Sequence, residues 1–224
     1  MIDTIIFDAE GVVIDTEDIW DRGQEEFLGC RGFIYDRERI KPLLTGRTLA
    51  EGVEVMQRAY GFAGDPQVLA AERASIVRNL MATEVRFIKG FRVFFERVRD
   101  QYKTCVATAM DRDLLSVVDR PLGLSQLFDG RIFTLDQVGF RSKPDPHLFL
   151  FAARQLCSRP ETCVVIEDAP LGIEAARRAG MRSIGISTTY HRSRLLGADL
   201  VVDGFGDIDL HRWAQRTVSS PQLQ

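Results

Sequence analysis

The chain is poor in lysine: of its 29 lysines and arginines only Lys41, Lys89, Lys103 and Lys143 are lysine. Arginine presents a planar fork of donors and lysine a compact, mobile point charge, so a site that needs the latter stands out against such a bias. Histidine is scarcer still. His147, His191 and His211 have no spacing suited to a metal or a nucleophilic triad and read as helix or loop residues. The four cysteines, Cys30, Cys105, Cys157 and Cys163, form no C-x-x-C pair, and Cys105 and Cys163 fall inside apolar runs, which argues against structural zinc and a disulfide framework. No uninterrupted apolar run approaches the roughly 20 residues of a membrane-spanning helix. The start, Met1-Ile2-Asp3-Thr4, lacks a basic region followed by a long apolar stretch. These absences predict a cytoplasmic protein with no membrane partner. A formal net charge of -3 provides no basic field of the kind that non-specific nucleic-acid binding requires, so no nucleic-acid partner is expected. There is no P-loop, and Gly204-Phe205-Gly206 lacks the strand and helix context of a dinucleotide fingerprint. Any anion must be met by a local site.

What is present is an ordinary folded composition over 224 residues, enough for one core-bearing domain with a modest insertion or for two small domains. Ile5-Ile6-Phe7 is a short continuous apolar run ending at Asp8, as expected of a buried parallel strand with a carboxylate at its C-terminal tip. From about Thr16 to Thr83 the pattern is helical, with Thr16 and Asp65-Pro66 as helix starts and Gly61 and Gly64 as breaks. From Phe91 onward helices and strands alternate. Helices are expected at Phe91 to Asp100, Asp111 to Asp119, after Pro146, and at Leu171 to Ala179. Strands are expected at Thr104 to Thr108, Arg131 to Thr134, Cys163 to Ile166, Ser183 to Ile186 and Leu200 to Val202. Such alternation predicts one parallel sheet with helices on both faces. The expected architecture is α/β: a Rossmann-like parallel sheet core from residues 1–15 and 84–224, and an inserted all-helical cap domain from 16–83.

In open sheets of this kind ligands sit outside the carboxyl ends of the strands. Asp8 ends the first strand, Thr108 the second, and Glu167-Asp168 follows Cys163-Val164-Val165-Ile166, while Lys143 stands just before a helix. Right-handed crossovers bring these ends to one edge. Carboxylates from separate strand ends, without histidine or thiolate, suit a hard cation that keeps several waters, which means magnesium. The helix starting near Met110 or Asp111 is expected to turn its free N–H groups toward an anion at the same edge.

Four stretches in order, Phe7-Asp8-Ala9-Glu10-Gly11-Val12-Val13, Val106-Ala107-Thr108, Ser142-Lys143-Pro144-Asp145-Pro146 and Val165-Ile166-Glu167-Asp168-Ala169-Pro170-Leu171-Gly172, closing with Ala179-Gly180-Met181, resemble the motifs of the haloacid dehalogenase superfamily. The resemblance is to its helical-cap subgroup of sugar-phosphate phosphatases and β-phosphoglucomutase, and it covers nearly the whole chain. It implies that Asp8 attacks phosphorus to give an aspartyl-phosphate that water hydrolyses, that Thr108 and Ala109 contact the phosphoryl group, and that Lys143 neutralises charge and orients Asp8. It further implies that Asp8, Asp168 and the carbonyl of Glu10 hold magnesium, with Glu167 a further ligand or a partner of the ligands. The expected partner is a small phosphorylated metabolite, and the expected state a monomer. Dehalogenating relatives need no metal, and phosphonate-cleaving ones call for a cap lysine. The Glu167-Asp168 pair speaks for phosphoryl chemistry, with a phosphomutase as the alternative.

The sequence departs from that pattern at residue 10, where the family usually carries a second aspartate that protonates the leaving oxygen and later activates water. Here Glu10 sets the carboxylate one methylene further out, which leaves a weakly active or non-catalytic phosphate-binding relative as a second alternative. Ala109-Met110 also stands where small polar residues are common. In the helical insertion, Leu44-Thr45-Gly46-Arg47 is the most pointed feature, with Arg47 a candidate for substrate contact. Trp20, Phe27 and Phe33 read as cap core rather than as a sugar platform.

Overall fold

The computed structural model describes residues 2–44 and 48–216. The chain opens with strand β1 (Thr4–Phe7) and the short β2 (Ile14–Asp15). Four helices follow: α1 (Glu17–Gly29), α2 (Arg37–Leu44), α3 (Leu49–Tyr60) and α4 (Pro66–Glu84). After β3 (Arg86–Phe87) come α5 (Phe91–Val98), β4 (Lys103–Thr108), α6 (Arg112–Leu122), α7 (Leu124–Leu127) and β5 (Ile132–Thr134). The chain continues through α8 (His147–Gln155), β6 (Cys163–Glu167), α9 (Pro170–Arg178), β7 (Arg182–Ile186), β8 (Leu200–Val202) and α10 (Leu210–Arg216).

Six strands form one sheet in the order β5-β4-β1-β6-β7-β8, and every neighbouring pair is parallel. The fold is therefore an α/β, Rossmann-like sheet. From β1 the chain steps outward through β4 and β5, then returns to the other side of β1 for β6, β7 and β8. The order reverses at β1, and its carboxyl end is the switch point at which such sheets bind ligands.

Period-two alternation sorts β1 onto two cores. Ile6 faces α8 and α9 in a layer with Cys105, Phe149, Ala152, Val165 and Ala176. Phe7 points the other way, into an aromatic layer where its ring centroid lies 5.7 Å from Phe91 and 5.9 Å from Phe128. Phe95 meets Phe128 at 4.8 Å, and Phe205 meets Phe94 at 5.1 Å. All of these rings are fully or nearly fully buried. Cys105 and Cys163 are buried in the strands as expected, Cys30 and Cys157 are exposed, and all four are free thiols.

Contacts divide the chain into two compact units. One is the described part of Met1–Ile14, Phe87–Leu115 and Gly123–Gln224; the other is that of Asp15–Arg86 with Ser116–Leu122. The second unit is thus wider than the expected 16–83 and takes in the last two turns of α6. Its core is Phe27, Leu28, Ile40, Val53, Met56, Leu69 and Ala70, with Phe33 packed against it. Local signals start its helices. Asp65 accepts from the amides of Gln67 at 2.8 Å and Val68 at 3.2 Å ahead of Pro66, and Thr48 with Glu51 closes a capping box at α3. Thr16 precedes α1 but its side chain makes no cap bond; Glu17 and Asp18 supply negative charge to that first turn instead. Within the bundle the buried Arg73 donates from Nε to Gln24 at 2.7 Å, and burial lowers its pKa to about 10. Among the described residues no helix is long and apolar enough to cross a membrane.

Because Phe128 is fully buried and its ring meets those of Phe7, Phe91 and Phe95, Phe128→Ala leaves a cavity that a close-packed interior fills only in part. The expected loss is about 3–5 kcal/mol of unfolding free energy, measured by denaturant titration. A loss below about 1 kcal/mol would show that this layer does not hold β1.

Candidate active site

The parallel register sets the first two acids side by side. Phe7 is level with Ile166, so Asp8 and Glu167, one step beyond each, share a level at the carboxyl edge. The Asp8 amide continues the ladder by donating to the Ile166 carbonyl at 3.0 Å. The Lys143 ammonium reaches in from the loop before α8 and donates to both Asp8 Oδ1 and Glu167 Oε1. The other Glu167 oxygen accepts from the Ala169 amide at 2.7 Å. Glu167 is completely buried, and α9 leaves room for it because residue 172 is glycine: a Cβ at Gly172 would overlap the Glu167 carboxylate.

Asp168 follows. It is buried, and one carboxylate oxygen from each of Asp8, Glu167 and Asp168 lies within 4.8 Å of the others. Opposite stands the turn after β1, where the Ala9 carbonyl accepts from the amides of Val13 at 2.8 Å and Ile14 at 2.9 Å. Gly11 takes a left-handed φ of 75° in that turn. A side chain there would collide with Asp168 Oδ2 and Thr189 Oγ1, so both the conformation and the space call for glycine. Glu10, half-buried, bridges to Ile14 in the same turn.

Thr108 ends β4, 1% exposed, and its Oγ1 accepts from the Met110 amide at 3.0 Å. Ala109 is exposed beside it. The helix after β4 begins at Arg112, and Asp111 Oδ1 accepts from the Leu114 amide at 2.8 Å, capping one of its first amides. Arg47 lies outside the described residues.

The electrostatics follow from burial. Burial raises the Asp8 carboxyl to about 7; Lys143 opposes that rise, and the charges of Glu167 and Glu10 add to it. Asp168 is raised well above the usual carboxylate range, first by burial and then by Glu167 and Asp8. Burial works against the charge on Lys143, but the carboxylates of Asp8 and Glu167 outweigh it and hold the ammonium protonated. With all three acids ionised, one ammonium leaves a surplus of two negative charges. That surplus, the all-oxygen donor set and its small span fit a hard divalent cation such as magnesium.

The sequence reading named Asp8, Glu10, Thr108, Lys143, Glu167 and Asp168. The structure brings Asp8, Lys143, Glu167 and Asp168 into direct contact or proximity, with Glu10 in the turn after β1 and Thr108 at the end of β4. It adds Thr188 and Thr189 beyond β7, which the sequence reading missed. The available signal was that β7 also ends in polar residues.

A doubly wound parallel sheet with buried acids and one lysine at its switch point defines an α/β enzyme with an acidic, cation-ready centre. A family model described as haloacid dehalogenase-like hydrolase matches residues 2–180. The chain is 30% identical over 184 residues to fructose-1-phosphate phosphatase YqaB of Escherichia coli (strain K12), covering 81% of this chain and 95% of that protein. It is 27% identical over 213 residues to validoxylamine A 7'-phosphate phosphatase of Streptomyces hygroscopicus subsp. limoneus, covering 95% and 97%. Among solved structures, a HAD family hydrolase of Deinococcus radiodurans R1 with bound phosphate and sodium superposes with a TM-score of 0.79 at 27% identity, covering 92% of each chain. The chain belongs to the haloacid dehalogenase-like hydrolases, among the phosphatases of that family.

A raised folded-state pKa on an acid means that the folded protein binds the proton more tightly, so its stability is present below the ordinary value and lost as pH rises through the raised one. With metal chelated, unfolding free energy is expected to fall as pH rises from 3.8 to about 7, with Asp168 acting in the same direction. Asp8→Asn should make the slope shallower. Thermal melts across that window in chelator check both; a flat or rising profile for the parent chain contradicts the burial argument.

Proposed function

We propose that the chain is a magnesium-dependent phosphohydrolase that cleaves a small phosphomonoester, a sugar phosphate or similar metabolite, through an aspartyl-phosphate on Asp8. The observation that carries this reading is the Lys143 ammonium bonded to both Asp8 and Glu167, with Asp168 within 4.8 Å. Structural ion pairs rarely gather a third buried carboxylate without a cation to balance it.

The Asp8 carboxylate attacks phosphorus, a phosphorus–oxygen bond to Asp8 forms, and the bond to the leaving oxygen breaks. Glu10 gives its proton to that oxygen as it departs. In the second half the Glu10 carboxylate takes a proton from water as the water oxygen attacks phosphorus; the bond to Asp8 breaks, and phosphate leaves with Asp8 restored. Lys143 holds Asp8 in position and meets negative charge on the transferring oxygens, and Thr108 and Ala109 contact the phosphoryl group from the end of β4. Magnesium would be held by Asp8, Asp168 and the Glu10 carbonyl, and would supply charge neutralisation and alignment. Glu167, whose two oxygens are taken by Lys143 and the Ala169 amide, serves that centre by fixing Lys143. Two named relatives hydrolyse phosphate esters of fructose and of validoxylamine A, which supports a phosphorylated polyhydroxy substrate.

The test is phosphate release from a panel of sugar phosphates and other small phosphomonoesters, with magnesium or with chelator. Turnover should vanish with chelator and fall by about 10⁴-fold or more in Asp8→Asn. Glu10→Gln should lower it by about 10²- to 10⁴-fold. Activity that persists in Asp8→Asn excludes the aspartyl-phosphate; conversion of a sugar phosphate to its isomer without net phosphate release indicates a mutase. Equal activity of Glu10→Gln and the parent removes Glu10 from the acid-base role.

A further inference from the structure

Two threonines just beyond β7 reach back to the turn after β1 and to the end of β6. Thr188 Oγ1 donates to the Gly11 carbonyl at 2.5 Å. Thr189 hydrogen-bonds the Asp168 carboxylate. The bare Cα of Gly11 fits between them: a Cβ at that position would strike both Asp168 Oδ2 and Thr189 Oγ1. The parallel register explains the placement. β7 lies beside β6, with Glu167 level with Gly185, so the chain leaving β7 passes alongside the end of β6 and reaches Asp168. Both threonines are half-buried rather than solvated.

We propose that Thr188 and Thr189 are positioning residues for the cation site, together fixing the two sides of it that Glu10 and Asp168 supply. Thr189 holds the Asp168 carboxylate in one orientation, and Thr188 anchors Gly11 and with it the peptide unit that carries the neighbouring Glu10 carbonyl. The inference rests on the reading that Asp168 and the Glu10 carbonyl hold a divalent cation. The physical need is specific to that role. Magnesium demands near-octahedral geometry and tolerates little ligand wander, so outer partners that orient its ligands count for about 10- to 100-fold in affinity. Thr189 donates a hydrogen bond to the Asp168 carboxylate, and Lys143 meets that carboxylate as a charge. Losing the Thr189 hydroxyl removes that restraint on the carboxylate.

The experiment titrates the full chain with magnesium alone, reading the rise in melting temperature and calorimetric binding, for the parent, Thr189→Val, Thr189→Ser and Thr188→Val. The expected result is a half-saturating magnesium concentration about 10- to 100-fold higher in Thr189→Val, recovered in Thr189→Ser, and raised in Thr188→Val, with melting temperatures in chelator close to the parent's. An unchanged magnesium affinity in both valine variants overturns the proposal, as does a weakened affinity that serine fails to recover. If Thr189→Val does not fold, Thr188→Val and Thr189→Ser decide it by the same criteria. A parent chain that shows no magnesium response overturns the metal reading and this inference together, which distinguishes that failure from a parent that binds and variants that bind equally well.

Discussion

Three carboxylates with oxygens within 4.8 Å of one another repel strongly in a buried site, and Asp8 and Asp168 resist ionising there because burial favours their neutral forms. The Lys143 ammonium is the counterweight. It sits between Asp8 and Glu167 and pulls against the burial that lifts Asp8. With all three ionised, a single ammonium balances one of the three charges, a surplus that fits a divalent cation. The other geometry of the edge serves that arrangement. Gly172 clears the volume Glu167 needs, and the Ala169 amide takes the carboxylate oxygen that Lys143 does not.

The apolar layers matter to the chemistry because Asp8 follows directly on Phe7. That ring packs against Phe91, Phe94, Phe95 and Phe128 on one side of the sheet, while Ile6 is locked against α8 and α9 on the other. A strand gripped on both faces in a close-packed interior has little freedom to slide. A parallel ladder to β4 and β6 fixes its register as well, and a one-residue slip would turn Asp8 to the opposite face. Hydrophobic packing on the residues just before Asp8 thus holds the backbone that carries its carboxylate.

Much of this was legible in the sequence because buried parallel strands write themselves as continuous apolar runs. Ile5-Ile6-Phe7, Cys163 to Ile166 and Leu200 to Val202 became strands within a residue of the reading. The acids at their tips were conspicuous as the first charges after such runs. Contacts that depend on strands meeting in space were not legible. Thr188 and Thr189 were passed over in the sequence reading; only β7 lying beside β6 brings them to Gly11 and Asp168. The helix read as starting near Asp111 begins one residue later, at Arg112, with Asp111 as the residue that caps its Leu114 amide. The extent of the helical unit was similarly hidden, since the turns of α6 from Ser116 to Leu122 group with it across a separation in sequence that no periodicity encodes.

Glu10 separates two duties that one residue performs. Its carbonyl belongs to a turn fixed by the Gly11 amide on the Ile14 carbonyl at 2.9 Å and by the Ala9 carbonyl on two amides. A longer side chain therefore changes nothing in what that carbonyl offers a cation. Its carboxylate, by contrast, extends from the same fixed Cα by one more methylene than an aspartate would. In the mechanism proposed for the chain, attack by Asp8, charge neutralisation by Lys143 and cation binding are insensitive to that extension, because each rests on backbone or on side chains other than Glu10. Protonation of the leaving oxygen is sensitive to it, because there the distance from a rigid turn to the substrate decides. In that proposed mechanism the step that Glu10 bears on is accordingly proton transfer to the leaving oxygen.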